Sequence, residues 1–286
     1  MKIKLDLKKS LEENASDYFN IAKKSRGKID SVKKIIEDFQ RKHDREVKLQ
    51  EEFKSNITKL NNNKNHWFEK FKWFVTSEGF LVIGARDATS NEIIIKKHTS
   101  EEDIVFHTDM AGSPFVVIKK NSHEDVKKLF GKNNPPNEIG IDSIKETATF
   151  CFTHSKAWKQ GLSSTAVFWV KPDQVSKDAN AGESLSKGAF VIRGKTNYVD
   201  YPLGYAVGLF SSDKKEPVFL SGPLNSLKHY VDEPIIIEQG KEKPSLVAKN
   251  IRSQIRAVSE VDVPLDLIVR NLPQGIQLKK IRKRKK

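Results

Sequence analysis

Residues 65–120 read NHWFEKFKWFVTSEGFLVIGARDATSNEIIIKKHTSEEDIVFHTDMAGSPFVVIKK, and they combine more apolar, strand-like sequence with scattered polar residues than any other part of the chain. Residues 71–76 and 80–85 are two apolar runs joined by a Ser-Glu-Gly turn. Gly79 in that turn supplies the positive φ angle of a tight hairpin. The stretch therefore predicts a β-hairpin at the centre of a domain.

The rest of the chain mixes helices and strands without a regular β-α-β alternation. One helix is expected after Thr89 or Ser90, either of which can cap it, and another over residues 142–159. Runs of β-branched or aromatic residues predict further strands, and periodic apolar residues predict closing helices: strands at 103–107, 115–119, 163–170, 189–193, 205–210, 218–220 and 234–238, and helices at 246–258 and 264–271. The fold class expected is α+β, built on a mainly antiparallel sheet.

Residues 1–63 are predicted to form a helical, coiled-coil-like arm. Residues 11–60 are rich in charge, contain no proline and have Gly27 as their only glycine. A 3-4-3 apolar spacing, typical of paired helices, is formed by Ile29, Val32, Ile36 and Phe39. The pattern weakens over residues 41–50, which leaves open one interrupted helix or two antiparallel helices. It also leaves open whether the arm packs on its own domain or binds a partner.

Charge and composition set the other boundaries. Residues 64–275 are expected to form one domain, and residues 276–286 a basic disordered tail that ends in IRKRKK.

The chain carries 51 Lys and Arg against 37 Asp and Glu, a formal net charge of +14 and a pI of about 9.6. That balance favours a polyanionic partner, with a merely solvated basic surface as the alternative.

Several protein classes are disfavoured by the sequence. Cys151 is the only cysteine, so no intramolecular disulfide is expected, and its neighbours Phe150 and Phe152 indicate a buried apolar side chain. The N-terminus lacks the apolar core of a signal peptide, and no apolar run is long enough to span a bilayer. A cytoplasmic protein is therefore expected.

His107 and Asp109 are the residues with the clearest potential for chemistry. They stand two apart on a predicted strand, so their side chains would share a face and could form a general base or part of a metal-dependent hydrolase. No nucleophile motif, Walker loop or dinucleotide fingerprint accompanies them. A structural histidine is the default interpretation, and we expect no catalytic residue, metal or cofactor.

Basic residues are interleaved with aromatic ones along the predicted strands and turns. Cations contact phosphates and exposed rings stack on unpaired bases, so this interleaving is typical of RNA-binding surfaces. The residues concerned are Lys96, Lys97, Lys171, Lys177, Lys187, Arg193 and Lys195, with Trp158, Trp169 and Tyr198. Trp73 and Trp169 are expected in the core rather than on that surface.

Several blocks, taken in order, resemble the NFACT RNA-binding domain of the NEMF/RqcH family of ribosome-associated quality control factors. The blocks are NHWFEKFKWFVTSEGFLVIGARDATSNEIIIKKH, DIVFHTDMAGSPFVVIKK, HSKAWKQG, FWVKPDQVSK and GESLSKGAFVIRGKTNYV, and they cover residues from Trp67 to Phe210. The N-terminal segment resembles the entry to the family's coiled-coil region. Family members carry an N-terminal NFACT domain before that point, so the resemblance implies either a separately encoded N-terminal half or a truncated relative.

The resemblance implies a ribosome-associated role without catalytic turnover. The partners implied are the rRNA of the large ribosomal subunit and tRNA, during rescue of stalled translation and C-terminal tailing of the nascent chain. Residues 11–60 would bind the N-terminal half or another quality-control protein. The predicted RNA-binding set comprises Arg86, Asp87, Asn91, Lys96, Lys97, His107, Asp109, Lys156, Trp158, Lys177, Lys187, Arg193 and Lys195. Asp87 as a cap, His107 and Asp109 as core hydrogen-bonding groups and Trp158 as a core residue are the structural alternatives.

Overall fold

The computed structural model describes residues 3–61, 66–131, 134–178, 185–212, 215–259 and 261–279. The chain divides into two compact units, Met1–Asn56 and Ile57–Lys286. The predicted end of the arm at residues 62–63 and most of the predicted basic tail, residues 280–286, lie outside the described residues.

The N-terminal arm is one helix, α1, over Leu11–Asn61. Ser10 and Glu13 cap its start reciprocally: Ser10 Oγ accepts from the Glu13 amide at 3.2 Å, and Glu13 Oε2 accepts from the Ser10 amide at 2.8 Å. Neither the interrupted helix nor the antiparallel pair is present. Residues 41–50 contain no glycine or proline and consist mainly of good helix formers, so the helix continues where the apolar pattern fades.

Helices and strands alternate irregularly in the second unit. Its helices are α2 (Ala88–Lys97), α3 (His123–Phe130), α4 (Ile141–Thr153), α5 (Lys156–Lys159), α6 (Leu224–Tyr230), α7 (Pro244–Val258) and α8 (Leu265–Asn271). Its strands are β1 (Lys72–Val75), β2 (Leu81–Gly84), β3 (Ile104–Thr108), β4 (Val116–Lys119), β5 (Val167–Val170), β6 (Val175–Ser176), β7 (Val191–Ile192), β8 (Asn197–Tyr198), β9 (Tyr205–Ser212), β10 (Lys215–Pro223), β11 (Ile235–Glu242) and β12 (Ile276–Leu278).

The strands form antiparallel sheets. Six of them pair in the order β1-β2-β4-β3-β5-β8, four in the order β10-β9-β11-β12, and β6 pairs with β7. The predicted hairpin is β1-β2, in which Trp73 lies opposite Ile83 and Phe74 opposite Val82. The α+β class with antiparallel sheets is therefore confirmed.

Both faces of the six-stranded sheet are buried. Successive residues of a strand point to opposite faces, and each face packs in its own apolar cluster. Phe74 and Val82 belong to the apolar cluster that includes Phe150 and Cys151 of α4. Trp73 and Ile83 belong to the cluster that includes residues of α2 and α3. The aromatic residues of the opening stretch are thus largely core, as expected. Cys151 is fully buried, and burial raises the pKa of its thiol.

Local hydrogen bonding moves two predicted helix boundaries. The helix predicted over residues 142–159 is two helices. The first ends at Thr153, and Ser155 caps the second, since its Oγ accepts from the Trp158 amide at 3.3 Å. The cap of α2 is Asp87 rather than Thr89 or Ser90. Asp87 Oδ1 accepts from the Ser90 amide at 2.8 Å, and Ser90 Oγ accepts from the Asp87 amide at 2.8 Å.

The C-terminal end of the domain extends further than predicted. Ile276–Leu278 form β12, which pairs with β11 and places Leu278 opposite Ile237. Ile276 is fully buried. Residues 276–278 therefore belong to a sheet and not to a disordered tail, because Ile276 joins the core. No helix among the described residues is long and apolar enough to cross a lipid bilayer.

Candidate nucleic-acid interface

A cleft lies where β1 begins and β2 ends, next to the paired residues Lys72 and Gly84. It consists of two adjoining cavities, of about 630 and 430 Å³, whose linings share Ala85, Arg86, Gly112 and His154. We call the larger cavity the cationic half, since its lining includes Lys72, Arg86, Lys156 and Lys159. We call the smaller cavity the apolar half, since its lining includes Pro114, Phe115, Phe190 and Ile192.

Arg86 stands at the junction of the two halves. One guanidinium nitrogen, Nη2, donates to the backbone carbonyls of Phe71 at 2.7 Å and Glu69 at 3.3 Å. Its Nε is buried and has no hydrogen-bond partner in the described structure. Burial, with a contribution from nearby Arg270, lowers the Arg86 pKa to about 10, so the group stays charged at neutral pH.

Lys72 forms the floor of the cationic half. Its Nζ donates to the carbonyls of Leu272 at 2.7 Å and Arg270 at 2.9 Å. Burial, together with the charges of Arg86 and Arg270, lowers its pKa to about 7. Among the described residues, neither Lys72 nor Arg86 forms an ion pair with a carboxylate. At neutral pH the floor therefore carries the charged Arg86 and a Lys72 that is about half protonated, and in the described structure their hydrogen bonds all go to neutral carbonyls.

His154 lies between the two cavities but acts as a structural residue. Its ring is hydrogen-bonded to the Tyr205 hydroxyl, with 3.0 Å between Nε2 and the oxygen. Burial lowers the pKa of His154 well below its ordinary value, with Lys72 and Arg86 adding to the effect. The imidazole is therefore neutral at physiological pH.

No hydrogen bond joins the His107 and Asp109 side chains in the described structure. His107 Nε2 donates to the Ser113 carbonyl at 3.1 Å, because a carbonyl can only accept, and burial lowers the pKa of the ring. Asp109 is exposed and accepts from the Tyr198 hydroxyl at 3.3 Å. The two side chains thus have separate partners. No group of three or more metal-ligating side chains occurs in the described parts of the chain.

Two more members of the predicted set, Asp87 and Asn91, hold the walls of the apolar half in place. Asp87 caps α2, and its hydrogen bonds from Ser90 lower the pKa of the carboxyl. The Asn91 amide accepts from the Phe115 amide at 3.0 Å and donates to the Gly188 carbonyl at 3.3 Å. Asn91 therefore ties the start of β4 and the segment before β7 to α2.

Glu92 and Lys177 add a second connection to the same wall. Their side chains form an ion pair at 2.8 Å, and Glu92 also accepts from the Gly188 amide at 3.1 Å. These contacts lower the Glu92 pKa to about 2. The Lys177 ammonium lies 4.8 Å from the centre of the Phe190 ring. Lys177 thus has more contacts within the domain than the exposed basic residues of the predicted set.

The remaining predicted residues fall into exposed cations and one core residue. Lys156 and Lys187 are exposed at the cleft, whereas Lys96, Lys97, Arg193 and Lys195 are exposed outside its lining. Arg193 Nη2 donates to the Asp178 carbonyl at 3.0 Å.

Trp158 is the core residue: it is 6% exposed, and its ring packs at 84° to the Phe152 ring with 5.6 Å between centres. Trp158 is therefore unsuited to stack on a base in this conformation.

Most of the residues that line this cleft lie in a region that matches a known protein family. Residues 70–194 match the NFACT protein RNA binding domain. This region belongs to that domain family. The predicted resemblance is confirmed, and the NFACT-type domain supplies every basic side chain that lines the cleft.

Longer relatives share more of the chain. It is 37% identical over 228 residues to the archaeal Rqc2 homolog aRqcH of Methanocaldococcus jannaschii, a match that covers 79% of this chain and 31% of that protein. It is 34% identical over 201 residues to the ribosome quality control complex subunit NEMF homolog of Drosophila melanogaster, covering 69% of this chain and 18% of that protein. The chain thus spans less than a third of the length of either relative.

One solved structure resembles the chain only weakly. The C-terminal part of the fibronectin/fibrinogen-binding protein from Streptococcus suis aligns with a TM-score of 0.35 and 16% identity, over 53% of this chain and 55% of that one. A similarity of this size supports no conclusion about fold or function.

The NFACT-type domain does not build the cleft alone, and the sequence analysis missed part of the site. Pro244, Val269, Leu272, Pro273 and Gln274 complete the wall of the cationic half and lie after residue 194. Lys72 and Lys159 were also missed. The available signal for Lys72 was the hairpin register, which places it opposite Gly84, two residues before Arg86. Lys159 stands three residues after the predicted Lys156, which is one helical turn.

Proposed function

We propose that this chain binds rRNA of the large ribosomal subunit and tRNA during the rescue of stalled translation, and that it supports C-terminal tailing of the nascent chain without catalytic turnover of its own. The observation that carries the proposal is the cleft of an RNA-binding-family domain in which Lys72 and Arg86 have no carboxylate partner among the described residues. The name of the Drosophila relative, a ribosome quality control complex subunit NEMF homolog, supports the same role.

The RNA-contacting surface that we propose has two parts. Arg86, Lys156 and Lys187 line the cleft. Around it, the outer contacts are Lys96, Lys97, Lys177, Arg193 and Lys195. Asp87, Asn91, His107, Asp109 and Trp158 hold this surface in place through the hydrogen bonds and packing described above.

The experiment is binding of the purified chain to large ribosomal subunits across a salt series. The expected result is salt-dependent association, since phosphate contacts release counterions. Neutralising Arg193→Gln with Lys195→Gln should weaken binding and flatten the salt dependence. The matched control is Lys127→Gln with Lys128→Gln, which removes the same charge from exposed positions on α3. Absence of association at low salt would exclude the proposed function, and equal effects of the two pairs would remove Arg193 and Lys195 from the interface.

A second role is favoured by one observation on α1, and it concerns a protein partner. The apolar residues of the 3-4-3 spacing are largely exposed to solvent: the exposed fraction is 54% for Ile29, 53% for Val32, 49% for Ile36 and 69% for Phe39. We propose that this face pairs with a helix of another quality-control protein. Deleting residues 11–60 should abolish co-purification of that protein while RNA binding persists. A concentration-dependent dimer of the chain alone would instead assign the face to self-association.

A further inference from the structure

The cleft has a division of chemistry that general RNA binding does not require. Its cationic half has Lys72 and Arg86 at the floor and Lys156 and Lys159 at exposed positions of α5. Buried cations are costly when they lack a counter-charge, and neutral carbonyls supply only part of the compensation. An anion bound here would provide the acceptor that the buried Arg86 Nε lacks among the described residues. This half therefore suits a phosphate group.

The size of the cleft exceeds what a phosphate alone would need. The two cavities measure about 630 and 430 Å³ and adjoin, since they share four lining residues. Sites for small organic ligands usually fall between about 300 and 1,000 Å³. A ligand that fills the cleft must therefore carry a larger, non-anionic part next to its phosphate.

The apolar half fits a flat ring. Phe190 and Ile192 line it and are half-buried, and the Phe190 ring stands at 79° to the Phe115 ring with 5.4 Å between centres. Two of the polar side chains that line this half already have partners: His107 donates to the Ser113 carbonyl, and Asn91 bonds to Phe115 and Gly188. A ring bound here would be held by apolar contact, with little hydrogen-bond reading of its edges.

We infer that the cleft binds a single unpaired nucleotide of an RNA strand, with its phosphate in the cationic half and its base in the apolar half. The inference rests on the proposed function and adds to it the unit that is recognised. An unpaired base can rotate away from its neighbours in the strand and enter a recess, whereas a base in a duplex is held by stacking and pairing. Because the side chains of His107 and Asn91 are occupied, they do not read the edge of a base, and the site should tolerate any base.

The test uses the full chain and three probes: a fluorescein-labelled single-stranded RNA of mixed sequence, a blunt RNA duplex of the same charge, and AMP or CMP as competitors. The expected result is that the single strand binds at least about tenfold more tightly than the duplex, since stacking of one base contributes about 1–3 kcal/mol. Both nucleotides should compete with the single strand, whereas inorganic phosphate should compete less.

Two variants separate the halves of the cleft. Lys156→Gln with Lys159→Gln removes exposed cations of the cationic half, and Ala111→Trp fills the apolar half from an exposed position. Each should weaken single-strand binding by about tenfold or more, whereas Lys127→Gln with Lys128→Gln should change it by less than about twofold. A circular dichroism spectrum and melting curve like those of the parent chain show that each variant is folded.

The outcomes distinguish the inference from the proposed function. Equal binding of duplex and single strand, or single-strand binding that Ala111→Trp leaves unchanged, would overturn the nucleotide site while RNA binding itself stands. Competition by AMP without binding of any RNA would assign the cleft to free nucleotides, and would overturn the inference together with the proposed function.

Discussion

At the scale of single residues, Lys72 gives the protein a specific pH dependence. The pKa of Lys72 is about 7 in the folded chain, against about 10.4 for an exposed lysine. Between these values the unfolded chain binds more protons, so stability rises with pH. We expect the free energy of unfolding of the parent chain, minus that of Lys72→Met, to increase from pH 7 to pH 9 by about 1 kcal/mol per pH unit. Urea titrations at four pH values measure it, and parallel pH profiles would contradict it.

Arg252 and Asp262 provide a second prediction at the same scale. Asp262 is 4% exposed and accepts from Arg252 Nε at 2.6 Å and Nη2 at 2.7 Å. Asp262→Asn should lower the free energy of unfolding by about 3 kcal/mol, since it neutralises the buried carboxylate that accepts both of these Arg252 hydrogen bonds. The control is Glu238→Gln, which removes a more exposed pair with Lys279 and should cost less than about 1 kcal/mol. Similar losses in the two variants would refute the assignment.

Residue types predicted part of the site, but the roles of those residues depended on contacts. Arg86 was predicted from the sequence and does line the cleft. Asp87, Asn91 and Trp158 were also predicted as RNA contacts, yet in the structure their polar or aromatic groups are bound within the domain. A sequence shows that a polar group is present at a position, but its partner depends on neighbours that are distant along the chain.

At the scale of secondary structure, two glycines should respond oppositely to alanine. Gly27 is inside α1, and a Cβ added there meets no atom within 4 Å. Gly27→Ala should stabilise the helix by about 1 kcal/mol, which slows hydrogen exchange of the neighbouring amides by about fivefold. Gly194 has a φ of +83°, so Gly194→Ala should destabilise its turn by about 1–2 kcal/mol. Mass spectrometry of deuterium uptake measures both, and faster exchange near residue 27 would contradict the first.

The type of a secondary-structure element was predictable where its apolar pattern was long and turn residues marked its ends. The β1-β2 hairpin was found because two apolar runs flank Gly79. The break between α4 and α5 was missed because Ser155 is compatible with a helix interior until its hydroxyl caps the next turn. β12 has three residues, too few to show alternation, and its pairing with β11 joins parts of the chain that are distant in sequence.

At the scale of the whole molecule, net charge should set the salt dependence of RNA binding. Residues 280–286 contain six lysines and arginines. Removing them should reduce the slope of log affinity against log salt by up to about 0.7 for each cation that contacts a single strand. Binding isotherms at five salt concentrations measure the slope. An unchanged slope would show that these residues make no phosphate contact.

Family and fold class were readable from sequence at this scale, whereas the assembly of the cleft was not. The bond from Lys72 to the Leu272 carbonyl spans 200 positions in the chain. No local pattern specifies such a contact, because it arises only when α8 packs near the start of β1. The sequence thus located the NFACT-type domain, and three-dimensional packing was needed to find the wall that closes its cleft.

The single buried thiol at Cys151 gives the chain an internal reporter of its own unfolding. A reagent such as 5,5′-dithiobis(2-nitrobenzoate) attacks thiolates, which burial both shields and suppresses at this position. The native protein should therefore be labelled only as often as the core opens, and each modified molecule records one opening event. The chain has no second cysteine to blur the signal, so labelling kinetics would show whether a bound RNA slows opening of the core.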